Sequence, residues 1–207
     1  MDFTDICYFK FFFKDKFQIF KIYFGYFNFF LDKFQIFKTD HRYKMWNNDK
    51  RLLRLWQNGM TGYPIVDAAM RELNTTGFMH NRCRMIVAEF LTKDLLIDWK
   101  YGEQYFSKKL VDIDRIQNLG NWNWSSSFGL DASPYIRIFN PWSQSKKYDP
   151  HCEYIYKWLP ELRNIKPSDI HTWYNKHDKY NIKYPKPIVD HTIQRKEFLK
   201  RFKKYVK

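Results

Sequence analysis

Apolar and polar positions change their rhythm once along the chain. Before Met45, phenylalanines such as Phe13, Phe17, Phe20, Phe24 and Phe27 follow a helical period, which predicts an aromatic-faced helix. The lack of Pro and Ala there, and the charges set into apolar runs, favour instead a degenerate, misframed stretch that packs poorly. From Trp46 the pattern is that of an ordinary helical protein. Thr61-Gly62-Tyr63-Pro64 predicts a turn, and Pro64 suits a first helical position. A helix is expected to about Leu73, with Ile65, Ala68, Ala69 and Leu73 on one side, and residues 74–77 end it. A longer helix is expected over about 79–96, with Ile86, Phe90 and Leu91 apolar, and a short one over 101–110. Residues 111–141 read as loop-rich, punctuated by Gly120, Gly129, Pro134 and Pro141. Residues 153–162 and 189–205 give later helices. In the last, Phe198, Leu199, Phe202 and Tyr205 are helically spaced and predict a face docked on the core. No two-residue alternation is sustained long enough for a sheet, so the expected class is mainly α.

Composition divides the chain at the same place. The first 45 of the 207 residues hold 13 of the 20 Phe but no Trp, Pro, Ala or Val. Asp15-Lys16-Phe17-Gln18-Ile19-Phe20-Lys21 recurs unchanged at residues 32–38, and two copies of seven residues are too short for a solenoid. Residues 1–45 are therefore read as a Phe/Lys-rich low-complexity segment and 46–207 as the globular part. A net charge of +14 points to a polyanion, with nucleic acid the first guess and a solvated basic surface the alternative. The three cysteines lie far apart, which argues against a disulfide scaffold or a zinc site and fits a cytoplasmic location. The longest uncharged apolar run, residues 22–31, is too short to span a bilayer.

Two stretches carry candidate chemistry. Asn81 and Met85 are four apart and share a helix face, with Arg82 beside them. Arg82 or Arg84 could grip a phosphate and Asn81 a base edge, whereas the plainer reading is a solvated face with Met85 filling the core. Residues 112–124 hold Asp112, Asp114, Asn118, Trp122 and Trp124. Paired carboxylates suit acid–base work, metal ligation or acceptance from a cofactor's N–H and O–H groups; helix capping is the dull alternative. The two Trp are most simply core residues, yet they also suit stacking on exposed bases. Ser125-Ser126-Ser127 has no motif around it, Cys83 reads as buried filler, and Gly59-Met60-Thr61-Gly62 lacks the spacing and Lys of a phosphate loop.

Together these stretches resemble the photolyase/cryptochrome family, most closely the bacterial class I cyclobutane pyrimidine dimer photolyases. The signatures are residues 58–71 (Asn58-Gly59-Met60-Thr61-Gly62-Tyr63-Pro64 onward), Gly77-Phe78-Met79-His80-Asn81-Arg82-Cys83-Arg84-Met85, Lys93-Asp94-Leu95-Leu96-Ile97-Asp98-Trp99 and Tyr135-Ile136-Arg137-Ile138-Phe139-Asn140-Pro141. They run in order over about residues 46–191. The resemblance implies the C-terminal part of a helical FAD-binding domain. It implies light-driven repair of pyrimidine dimers in DNA by an electron from reduced FAD, with the dimer flipped out of the duplex. By the same resemblance, Asp112, Ile113, Asp114, Arg84 and Phe78 face the flavin, Phe78 standing where the motif more usually has Trp. Asn118 meets the reactive flavin nitrogen. Asn81, Arg82, Met85 and Trp124 line the dimer pocket or its rim, while Arg137, Asn140 and Gln144 lie near the DNA strand. Trp122, Trp99 and Trp46 match an electron-transfer chain.

The resemblance also has gaps. Family members are more than twice this length, and their α/β antenna domain, which would bind a folate-type pigment, has no counterpart here. The loop that holds the FAD phosphates is also missing. A gapless projection puts Lys14 and Phe17 where the family has a Glu and a Trp that touch flavin and dimer. The expectation is a monomer, with a complementing N-terminal fragment as a candidate partner. The alternative to an active photolyase is a truncated, impaired remnant that at most binds DNA. A cryptochrome-like signalling role is argued against by Asn118.

Overall fold

In the computed structural model of the chain, residues 44–127 and 136–205 are described, all within one compact unit, His41–Lys207. The aromatic-faced helix expected before Met45, and the punctuation at Gly129 and Pro134, lie outside the described residues. The described residues are mainly helical, as expected, and contain no strand.

Helix α1 (Lys50–Gln57) starts at Asp49, whose carboxylate accepts the amides of Arg51 and Leu52 at 2.7 and 3.1 Å. It delivers Trp56, fully buried, whose Nε1 donates to the Val87 carbonyl at 3.1 Å. Helix α2 (Pro64–Thr76) begins at Pro64 and ends where Gly77 adopts a left-handed conformation at φ 71°. The expected stripe is buried, but Val66, Asp67 and Met70 are buried too. The reason is that α2 is wrapped by α1, α3 (Asn81–Glu89), α6 (Pro141–Tyr148) and α7 (Glu153–Trp158).

The expected helix over 79–96 begins at Asn81 and changes character at Phe90, where one π-helical turn runs to Asp94. Helices α4 (Trp99–Lys109) and α5 (Arg115–Ser125) pack side by side. Helix α5 corrects the loop-rich reading of 111–141. Asp114 caps it through the amides of Ile116 and Gln117 at 2.9 and 3.0 Å. Gly120 sits within it where a Cβ would meet nothing within 4 Å, so it punctuates nothing. Pro141 likewise opens a helix, α6, behind an Asn140 cap.

Short helices α8 (Pro167–Ile170) and α9 (Trp173–Lys176) lead to α10 (His191–Tyr205), which starts two residues later than its pattern suggested because Asp190 caps it. Phe198 and Phe202 bury themselves against Met45 and Leu96, as a docked face requires. The main core gathers α1 to α9 around Trp56, Tyr63, Phe90 and Trp173.

Candidate functional site

A cavity of about 730 Å³ opens between the start of α3, the connection before α5, and one face of α5. Local rules bring these pieces together. Gly77 turns the chain out of α2, and its carbonyl accepts the Val111 amide at 2.9 Å. A Cβ on Gly77 would sit 2.7 Å from Val111, so only glycine allows this approach. The His80 Nδ1 accepts the Arg82 amide at 3.1 Å and starts α3. Phe78 and Arg84 are thereby set opposite Asp112.

Arg84 fixes one wall. Its Nε donates to the Met79 carbonyl at 2.7 Å, and one Nη lies 3.0 and 2.8 Å from the two Asp112 oxygens. Its guanidinium lies 5.7 Å from the centre of the Phe78 ring, which is half exposed. The pair is solvated, so it contributes orientation more than stability. Asp114 is committed to capping α5, the plainer of its two readings, yet it also lines the cavity. Ile113, half-buried, packs on the core beside it.

Asn118 is buried and its amide nitrogen is held three ways. It donates to the Glu103 carbonyl at 3.1 Å, to Glu103 Oε1 at 3.0 Å and to the Ser107 hydroxyl at 3.1 Å. Glu103 can only accept, which fixes the amide's orientation and leaves Oδ1 as the atom free for a guest. Next to it Trp122 is 2% exposed, edge-on to Phe106 at 5.0 Å and to Trp56 at 6.2 Å. Trp124 is 42% exposed on the cavity rim, so the core reading holds for Trp122 and fails for Trp124. The cause is helical phase: Asn118, Trp122 and Ser125 follow the spacing of the buried face, whereas Trp124 falls with Gln117 and Asn121 on the exposed flank.

The sequence-predicted residues divide into four groups. Arg84, Phe78, Asp112, Ile113, Asp114, Asn118, Asn81, Met85, Trp122 and Trp124 line the cavity together. Met85, half-buried, packs on the core and also shares the cavity with Asn81 as their spacing required. Arg82 and Arg137 stand elsewhere, stacked about Phe139 with their guanidinium carbons 6.0 and 4.7 Å from its centre. Arg82 also lies 4.7 Å from the Tyr148 ring. Asn140 caps α6, and Gln144 lies on the same helix with its Oε1 buried and without a protein partner. Trp99 is buried at the start of α4, and half-buried Trp46 bridges the main core and the Phe198 cluster.

Sequence reasoning missed Phe106, Gln117 and Asn121, which line the cavity, and Trp56, whose indole neighbours Trp122. Gln117 and Asn121 lie four apart on α5, so recognising that helix was the signal needed. Burial pushes the Cys83 thiol up to about 11, which fits an inert filler. Among the described residues, no cluster of His, Cys, Asp or Glu is placed to hold a metal ion, and no helix is long and apolar enough to cross a membrane.

Residues 13–204 match the family described as the FAD binding domain of DNA photolyase, so the match begins within the Phe/Lys-rich segment. The deoxyribodipyrimidine photo-lyase of Vibrio cholerae is 51% identical over 158 residues, covering 76% of this chain and 34% of the relative. A crystal structure of an archaeal photolyase from Sulfolobus tokodaii, described with two FAD molecules, superposes with a TM-score of 0.74 at 41% identity, covering 82% of this chain and 40% of that one. A cryptochrome from Synechocystis superposes with a TM-score of 0.71 at 41% identity, covering 75% and 34%. The chain thus spans about a third of the length of the curated relatives it matches. It belongs to the photolyase FAD-binding-domain family.

Proposed function

We propose that the 730 Å³ cavity receives the redox-active ring of FAD and that the chain forms the substrate-side part of a light-driven pyrimidine-dimer photolyase. One observation carries this reading. The residues assigned to the flavin (Phe78, Arg84, Asp112, Ile113, Asp114, Asn118) and three of those assigned to the dimer (Asn81, Met85, Trp124) line a single cavity. They come from separate stretches of sequence and share a wall, Trp122.

The residues present fit such a guest. The volume falls within the range of about 300–1,000 Å³ usual for cofactor clefts. Asn118 offers a fixed carbonyl oxygen to a ring N–H, and the Arg84–Asp112 pair offers both a donor and acceptors at the mouth. Reduced FAD, when bound, supplies the photo-excited electron that splits the cyclobutane ring. The chain's own residues then do four things. Asn118 Oδ1 accepts a hydrogen bond from the reduced ring and holds that proton in place. Asn81 and Met85 meet the bases of a flipped dimer, and the half-exposed indole of Trp124 stacks on them. Arg82 and Arg137 bind phosphates on the strand, within the field of a +14 chain. Trp122, oxidisable and at the cavity wall, is the inner end of a route from half-buried Trp46 through Trp99 along which an electron reaches the flavin for re-reduction. The buried free thiols of Cys83 and Cys152 support a reducing, cytoplasmic setting.

The test is the flavin content of the purified chain after incubation with excess FAD and desalting, read from visible absorbance. A near-stoichiometric flavin spectrum is expected, reduced about tenfold by Asn118→Ala, after which repair of dimer-bearing DNA under blue light is measured. A folded chain that retains no flavin refutes the proposal.

A further inference from the structure

A second cavity, of about 550 Å³, lies between the first turns of α6 and α10 and shares no lining residue with the first. Among its lining residues only Asn140 was given a DNA-side role by the resemblance. Its wall is aromatic. Trp142 stacks at 4.6 Å on fully buried Tyr63, and its other neighbour, Tyr174, lies 5.2 Å away at 52°. The two rings form a tilted pair whose outer member, Tyr174, is 47% exposed.

The polar groups of this cavity are mainly donors. Lys146, exposed, follows Trp142 by one helical turn. Asn140 spends its side-chain oxygen on the amides of Trp142 and Ser143, which leaves its amide nitrogen to donate. His191 is 7% exposed and lines the cavity, and its Nδ1 lies 2.6 Å from a buried Asp94 oxygen. That contact commits one ring nitrogen and leaves Nε2 for a guest. The one carboxylate among the described lining residues, Asp190, is turned onto the amides of Thr192 and Ile193 at 2.7 and 3.1 Å. Open aryl surface beside a lysine, an amide donor and a buried, oriented imidazole is complementary to a flat ring that carries an anion.

We infer that this cavity is a second binding site, for a nucleobase joined to a phosphate, supplied as a free nucleotide or as an unpaired residue of a nucleic-acid strand. The site uses none of the residues of the flavin reading and stands or falls separately from it.

Calorimetric titration of the full chain with adenosine monophosphate, adenosine and inorganic phosphate tests this. The monophosphate is expected to bind about tenfold more tightly than either part alone, and Tyr174→Ala and Lys146→Ala each to weaken it about five- to tenfold. Both side chains are exposed, so neither variant threatens the fold. Asp112→Ala, in the first cavity, leaves this affinity unchanged. A 5′-phosphorylated single strand that binds at least about tenfold more tightly than the monophosphate, with the gain lost in Tyr174→Ala, identifies a strand as the source. Equal or weaker binding of the strand identifies a free nucleotide. Three results overturn the inference: no binding of the monophosphate, phosphate alone binding as tightly, or binding lost in Asp112→Ala and kept in Tyr174→Ala.

Discussion

Gly102→Ala sets a local rule against a packing rule. Gly102 lies inside α4, where alanine is favoured over glycine by about 1 kcal/mol. On propensity alone the substitution stabilises. In the fold, a Cβ at this position would stand 2.2 Å from Trp122 Cη2, 2.4 Å from Cζ3 and 2.7 Å from a Leu91 methyl. Trp122 cannot retreat, because Phe106 and Trp56 hold it edge-on at 5.0 and 6.2 Å and it is 2% exposed. Overpacking of this kind costs about 1–3 kcal/mol, and three close contacts with rigid neighbours put this case at the upper end. The net expectation is a loss of about 1–2 kcal/mol, or roughly 2–8 °C in Tm for a domain of this size. Urea unfolding followed by far-UV circular dichroism gives the stability, and tryptophan fluorescence reports the displaced indole. Because Trp122 lines the first cavity, flavin retention is expected to fall in the same variant. A variant stabilised by about 1 kcal/mol with an unchanged emission spectrum would show that α4 and α5 are not packed as described.

Two further outcomes follow from buried charge. Asp67 is fully buried and accepts hydrogen bonds from the Thr61 amide and hydroxyl, the Gly62 amide and the Tyr184 hydroxyl, and burial pushes its carboxyl up to about 6. The folded value lies above the unfolded one, so its contribution is full below about pH 4 and is lost as pH rises through 6. Asp67→Asn is expected to make the decline in stability over that window shallower, by up to about 1.4 kcal/mol per pH unit, and parallel pH profiles of urea midpoints would count against the assignment. Glu89→Ala is expected to cost about 3–5 kcal/mol, because it strands the buried Lys93 ammonium 3.3 Å away, and a loss under about 1 kcal/mol in urea would sink this account.

Much of the site was legible where sequence carries backbone rules. Pro64 and Gly77 bounded α2, although residues 74–76, read as part of its end, are helical, and the spacing of Asn81 and Met85 put both on one cavity wall. The miss at α5 has a physical cause. Its cap is one of two aspartates that equally suit chemistry, and Gly120, normally a breaker, sits on a side that meets nothing. With α5 read as loop, the shared face of Gln117, Asn118, Asn121 and Trp122 could not be seen. Trp56 was invisible for another reason: its place beside Trp122 depends on α1 and α5 meeting across the core, and no local pattern encodes that.

The π-helical turn at Phe90–Asp94 explains how the rest is tied together. Lys93 and Asp94 are adjacent charged residues, yet both are at most 2% exposed, as is Glu89 one turn earlier. Each holds a different piece of the fold. Glu89 Oε2 accepts the Phe139 amide at 2.8 Å, and the Lys93 ammonium donates to the Arg137 carbonyl. Asp94 accepts from His191 at the start of α10. Burial pushes the Glu89 and Asp94 carboxyls up and the Lys93 ammonium down. These groups are therefore stable as ions only with all partners in place. The extra residue of a π turn rotates the helix between Glu89 and Asp94 enough for neighbouring charges to reach separate elements. The same turn thus fixes the Arg137 strip on one side and the His191 cavity on the other. It does so from the helix whose first turn carries Asn81, Arg84 and Met85. Elements beside both candidate sites are thus anchored to the same three buried charges.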